Sequence, residues 1–211
     1  MSRIIARIAL LVCLGASQVS AQDVRITETM PDASFVLNGQ TYTISRNQDQ
    51  NATLDDEFAK TSRACPPFCV TPISAGQGIE NYGELEVIAF LKNEVVAGTG
   101  LLIDARVPQW FARGTIPGAV NVPFTTLEES NPYRNEILRA LGATSLGDTL
   151  EFSNARQLVL FCNGPWCEQS PRAIRYLRDA GYPAALIKYY RGGMQDWQGM
   201  GLSTSKPQSA G

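Results

Sequence analysis

Cys162 and Cys167 are the residues of this chain with the most evident capacity for chemistry. They lie five apart in the stretch LVLFCNGPWCEQSPR, residues 158–172. A thiolate attacks sulfur electrophiles without a metal, provided its surroundings favour the negative charge. The flanking sequence supplies such surroundings. Residues 158–161 form a continuous apolar run that suits a strand covered on both faces. Asn163-Gly164-Pro165 ends it, and Ser170-Pro171 reads as the N-cap and first residue of a helix. Cys162 is thus expected to end a strand and face a loop that enters a helix N-terminus, where backbone N–H groups and the helix dipole favour an anion.

The other residues of that loop have humbler expected parts. Asn163 and Gly164 shape the anion-binding turn, with Gln169 and Ser170 closing it. Trp166 is expected to cover the loop as an apolar lid rather than to bind substrate. Glu168 suits the positive end of the helix. Arg172 reads either as an aid to anion binding or as an ordinary surface arginine. Cys167, five residues from Cys162, could resolve a persulfide or sulfenate on Cys162 by closing a disulfide, or could be an unrelated loop thiol.

Composition narrows the chemistry. The 211-residue chain contains no histidine. Ser-His-Asp triads, Cys-His pairs and His-ligated metals are therefore excluded. No metal or other cofactor is expected. The formal net charge of −2 gives no basic footprint for nucleic acid.

The N-terminus reads as an export signal. Arg3 and Arg7 make a positive region, residues 8–16 an apolar stretch too short to span a bilayer, and Val19-Ser20-Ala21 a small-residue cleavage site. Cleavage is expected after Ala21, removing Cys13, and the mature protein is expected to be periplasmic or secreted without a membrane anchor. Cys65, Cys69, Cys162 and Cys167 then remain. In an oxidising compartment they allow several disulfide pairings, with Cys65–Cys69 within CPPFC or a bond from there to the loop as the structural options.

The elements that must position Cys162 follow from patterning. Residues 34–46 predict a hairpin around Asn38-Gly39. Residues 54–63 predict a short helix and residues 80–91 a longer one, with Leu85, Ile88 and Leu91 facing inward. Leu101-Leu102-Ile103 predicts a second buried strand, ending at Asp104-Ala105-Arg106. Short elements follow at 108–111 and 120–123, then an amphipathic helix at 133–141, a helix at 171–180, a strand at 184–190 and a last helix carrying Met194 and Trp197. Strands alternating with helices imply a mostly parallel α/β sheet.

Four of these motifs occur together in one family. LLIDAR, GTIPGAVNVP, LVLFC and RGGMQDW, in this order, make residues 80–204 resemble rhodanese-like domains. The resemblance implies a doubly wound, mostly parallel α/β sheet with helices on both faces; outside it lie a small N-terminal extension at 22–79, with the β-hairpin and CPPFC, and an expected flexible tail at 205–211. It implies that Cys162 carries sulfane sulfur as a persulfide. Gly193 and Trp197 match a structural closing element. Two departures stand out. Ser170 lies eight residues after Cys162, two beyond the usual cap position, so the loop is expected to be longer around Trp166-Cys167. The loop also lacks the arginine with which many members hold thiosulfate, and Arg172 is its nearest substitute. Thr115 stands where histidine is frequent. Glu168, six after Cys162, argues against the related Cys-x5-Arg phosphatase loop.

The expected function is an exported sulfurtransferase. Its partners would be a small sulfur-containing anion and a thiol acceptor, with no nucleic acid. The alternatives are a thiol–disulfide protein cycling Cys162 and Cys167 with an exported redox partner, and a non-catalytic binding module. Arg106, Arg113 and Arg191 could flank the pocket mouth, but surface salt bridges are the expectation for each.

Overall fold

A computed structural model describes residues 23–147 and 149–206. The expected signal segment lies outside the described residues, as do residues 207–211.

The centre is a five-stranded parallel sheet in the order β3-β9-β8-β4-β5. Its strands are β3 (Glu80–Asn81), β4 (Gly100–Asp104), β5 (Val120–Asn121), β8 (Gln157–Phe161) and β9 (Ile187–Tyr190). The apolar run at 158–161 is the middle of this sheet, paired with β4 on one side and β9 on the other. Alternate residues therefore point to opposite faces, and both faces are dry. Leu102, Val159, Phe161 and Tyr190 belong to one buried cluster; Ile103, Leu158, Leu160, Ile187 and Tyr189 belong to the other.

Helices cover each face. The first cluster takes in residues of α2 (Glu84–Phe90), the π-helical turn Leu91–Val95 that continues it, and α6 (Gly193–Gly199). The second takes in residues of α4 (Arg134–Ala140) and α5 (Gln169–Asp179). The inner face of α5 is Ala173, Ile174 and Leu177, spaced as a helix requires.

The N-terminal hairpin pairs β1 (Asp32–Leu37) with β2 (Gln40–Ser45). Asn38 and Gly39 both have positive φ, the backbone that a two-residue type I′ turn needs. Ala33, Phe35 and Ile44 point into the first cluster. Arg46 bridges to Leu202, and Asn47 N–H donates to the Gly201 carbonyl. Thr115 and Ser205 form a further antiparallel bridge.

Several expected boundaries are corrected. Glu80 and Asn81 are not helical; they pair with Lys188 and Tyr189 as an edge strand. Leu85 is exposed, and Val87, Ile88, Phe90 and Leu91 take the inner face. The helix expected at 54–63 is one turn, α1 (Asp56–Ala59), with Asp55 accepting from Glu57 and Phe58 N–H. The last strand begins at Ile187, after a 3-10 turn at Ala184–Leu186. A small hairpin of β6 (Thr144–Leu146) and β7 (Thr149–Glu151) was not foreseen.

Candidate active site

The β8 strand ends at Phe161, and Cys162 follows directly. Its backbone is held from the far side. Met194 N–H donates to the Cys162 carbonyl at 3.0 Å, and Gln195 N–H to the Asn163 carbonyl at 2.9 Å. Gly193 makes this approach feasible. Its φ is +57°, and a Cβ there would collide with the Cys162 carbonyl.

The sulfur of Cys162 sits in a cradle. Ser170 Oγ donates to it at 3.0 Å, and Gly164 and Ser170 N–H groups point at it. The Cys162 thiol in turn donates to the Cys167 carbonyl at 3.2 Å. Burial alone would push the thiol up. Hydrogen bonds from Cys167, Ser170 and the loop N–H groups outweigh it and bring the thiol down to about 7. Cys167 goes the other way: burial and the adjoining Cys162 sulfur push its thiol well above the ordinary range. Both cysteines are free.

The helix start corrects the expected cap. α5 begins at Gln169, with Glu168 in the N-cap position, so Ser170 and Pro171 lie within its first turn. Pro171 is tolerated there because first-turn N–H groups have no intrahelical partner. The Ser170 hydroxyl is bonded to Cys162 rather than capping the helix. The cap thus falls six residues after Cys162, and the two-residue loop extension disappears. Trp166 and Cys167 occupy a tight turn in which Cys167 N–H donates to the Gly164 carbonyl at 2.9 Å.

Arg106 is a second correction. It is not on the surface but 1% exposed. Its guanidinium forks onto Asp104, at 2.6 Å for the closest pair, and donates to Asn163 Oδ1 at 3.1 Å and to the Gly114 carbonyl at 2.6 Å. Thr115 completes the Asp104 carboxylate with a 2.8 Å bond. This buried ion pair ties the end of β4 to the cysteine loop. Arg113 and Arg191 make no salt bridge among the described residues: Arg113 lies over the Trp110 ring, and Arg191 donates to the Thr71 carbonyl.

Arg172 faces two carboxylates, Glu128 at 3.3 Å and Glu168 at 3.5 Å, and packs over Phe124. Its charge is neutralised before any anion arrives. Gln169 Oε1 accepts from Val107 N–H at 3.3 Å. Trp166 does cover the loop, in company the sequence did not disclose. The Arg63 guanidinium lies 3.6 Å from its ring centroid, and Phe68 meets it edge-on at 5.7 Å. Phe68 belongs to CPPFC, whose Cys65 and Cys69 are joined as a disulfide with Cα atoms 4.6 Å apart. Thr71 N–H donates to the Pro165 carbonyl at 2.8 Å. Segment 58–71 therefore lies directly on the cysteine loop.

A cavity of about 320 Å³ opens here, lined among others by Arg63, Phe68, Trp110, Phe124, Trp166 and Cys167. Asn163 also lines it and Cys162 does not. Cys162 is 1% exposed and Cys167 5%. Cys167 thus faces the cavity, and Cys162 does not.

The rhodanese-like domain family model matches residues 87–200. An HTH-type transcriptional regulator, Rv0324 of Mycobacterium tuberculosis, is 29% identical over 115 residues, 54% of this chain and only 42% of that protein. Human thiosulfate:glutathione sulfurtransferase is 28% identical over 107 residues, 51% of this chain and 86% of that enzyme. The solved human single-domain sulfurtransferase TSTD1 is 26% identical, with a TM-score of 0.39, covering 59% of this chain and 97% of its own. The chain belongs to the rhodanese-like domain family, with sulfurtransferases among its homologues.

Proposed function

We propose that this protein is an exported sulfurtransferase that carries sulfane sulfur as a persulfide on Cys162. The observation that carries the reading is the buried Cys162 sulfur at the end of β8, with the Ser170 hydroxyl 3.0 Å away and the Gly164 and Ser170 N–H groups aimed at it, an arrangement that lowers the thiol. Such a cradle favours a thiolate and then the terminal sulfur anion of a persulfide, with no general base needed. With thiosulfate, the Cys162 thiolate attacks the outer sulfur, the S–S bond of the donor breaks, and sulfite leaves with the bonding pair. An acceptor thiolate then attacks the outer persulfide sulfur and releases the Cys162 thiolate. The homology to sulfurtransferases supports this reaction class. Export is supported by the N-terminal signal pattern and fits the Cys65–Cys69 disulfide.

The test is the mass of the intact mature protein after incubation with thiosulfate. One added sulfur atom is expected in the wild type and none in Cys162→Ser. Sulfur gain by the Ser variant would move the nucleophile to Cys167.

A second reading rests on the contact between two free thiols with opposite shifts. A persulfide on Cys162 could be attacked at its inner sulfur by Cys167, expelling hydrosulfide and leaving a Cys162–Cys167 disulfide for an external dithiol to reduce. Turnover that requires reductant in the wild type but not in Cys167→Ser would establish it.

A further inference from the structure

The cavity over the cysteine loop is only partly built by the family segment. Glu57, Arg63, Pro67 and Phe68 line it from residues preceding the match at 87–200. Its walls carry four charges. Glu57 is bound by Lys60 at 2.9 Å. Glu168 is bound by Arg172, which Glu128 holds as well. Arg63 is the exception. Among the described residues no carboxylate lies within salt-bridge distance of it. Its guanidinium donates to the Glu57 backbone carbonyl, while its buried Nε has no partner at all. A buried donor left unmatched costs free energy that a ligand can recover.

Four aromatic rings share the wall with Pro67, Asn163, Cys167 and Gln169. Trp166 stacks under Arg63, and Phe68, Trp110 and Phe124 are the other three. A cation with no described carboxylate at salt-bridge distance, 3.6 Å from the Trp166 ring and 5.9 Å from Phe68, in a cavity also lined by Trp110 and Phe124, suits an anion attached to a flat apolar body.

We propose that Arg63 is the donor-binding residue of this site, and that the extension makes it select organic thiosulfonates, R–SO2–S⁻ with an apolar or aryl R, over bare thiosulfate. This deepens the sulfurtransferase reading and rests on it. The sulfonyl oxygens face the Arg63 guanidinium, and R lies among Phe68, Trp110 and Phe124. Once the Trp166–Cys167 turn shifts, the Cys162 thiolate takes the terminal sulfur. The sulfur–sulfur bond of the donor breaks, R–SO2⁻ leaves with its electron pair, and Cys162 holds the persulfide anion. One sulfur and one negative charge arrive, and one sulfinate departs, so no oxidant or reductant is consumed.

The test compares benzenethiosulfonate with thiosulfate on the full mature chain. The wild type is expected to show a lower KM for benzenethiosulfonate. Arg63→Gln should raise that KM roughly 10- to 100-fold with kcat little changed, as expected for loss of a charged hydrogen bond made equally in ground and transition states. Arg63→Lys should restore part of it, separating charge from packing on Trp166. Phe68→Ala should raise the KM for benzenethiosulfonate by a larger factor than the KM for thiosulfate. Binding is read separately with unreactive benzenesulfonate and Cys162→Ser. Saturable quenching of tryptophan fluorescence is expected, and is expected to vanish when Arg63→Gln is added. Equal quenching with and without Arg63, or a KM that favours thiosulfate, overturns the proposal. If benzenesulfonate binds through Arg63 while no donor ever loads Cys162, the sulfurtransferase reading fails and the anion site stands.

Discussion

The Ser170 hydroxyl lies 3.0 Å from the sulfur of Cys162, across eight residues of sequence. A side chain in the first turn of α5 thus points back to the end of β8. Removing that donor takes away one of the groups that favour the thiolate. Ser170→Ala should raise the midpoint of Cys162 alkylation by about one pH unit, equivalent to about 1.4 kcal/mol. A pH series with iodoacetamide measures it.

In the wild type the same series should place the midpoint near 7. The sign follows from the direction of the shift. The thiolate dominates above the folded value, so labelling and sulfur uptake rise through pH 7 and fade below it. A midpoint at the ordinary cysteine value would mean that the cradle only offsets burial, and one above it that burial controls the group.

Asp104→Ala should be among the most damaging single changes. It leaves the Arg106 guanidinium buried without its carboxylate, at a cost of about 3–5 kcal/mol. It also loosens Asn163, which Arg106 holds at 3.1 Å. Urea denaturation would register the lost stability. A shift below 1 kcal/mol would show that water enters to solvate the guanidinium.

Gly193→Ala tests the other support of the loop. The substitution forces a Cβ into a left-handed conformation and against the Cys162 carbonyl. A destabilisation of roughly 1–3 kcal/mol is expected, with reduced sulfur uptake because Cys162 moves. The thermal midpoint and the persulfide yield should fall together.

Much of this arrangement was legible in the sequence. The hairpin showed in the alternation of Phe35 and Leu37 and in Asn38-Gly39, because those signals are local. The central strand showed because burial on both faces demands an unbroken apolar run. The helix start was misread at Ser170. An N-cap preference is worth only about 1 kcal/mol, and the hydroxyl has a partner in Cys162. Arg106 was misread because its burial depends on Asn163, fifty-seven residues away, and no local pattern marks it. The strand at Glu80–Asn81 escaped notice because two exposed polar residues gain only backbone pairing at a sheet edge. Arg63 had no signal of its own. Its stacking on Trp166 exists only after the chain has closed.

The hairpin packing has a consequence for modularity. Ala33, Phe35, Ile44 and Phe58 share one apolar cluster with α2, α6 and the sheet, and Ser45 and Asn47 are hydrogen bonded to Ser203 and Gly201. The segment that the family shares is therefore not the folding unit of this protein. A fragment beginning at residue 80 would present to water the apolar face around Leu91 that the hairpin covers, and should aggregate where the mature chain does not. Domain shuffling that carried only the shared segment into another protein would have to supply a replacement cover for that face.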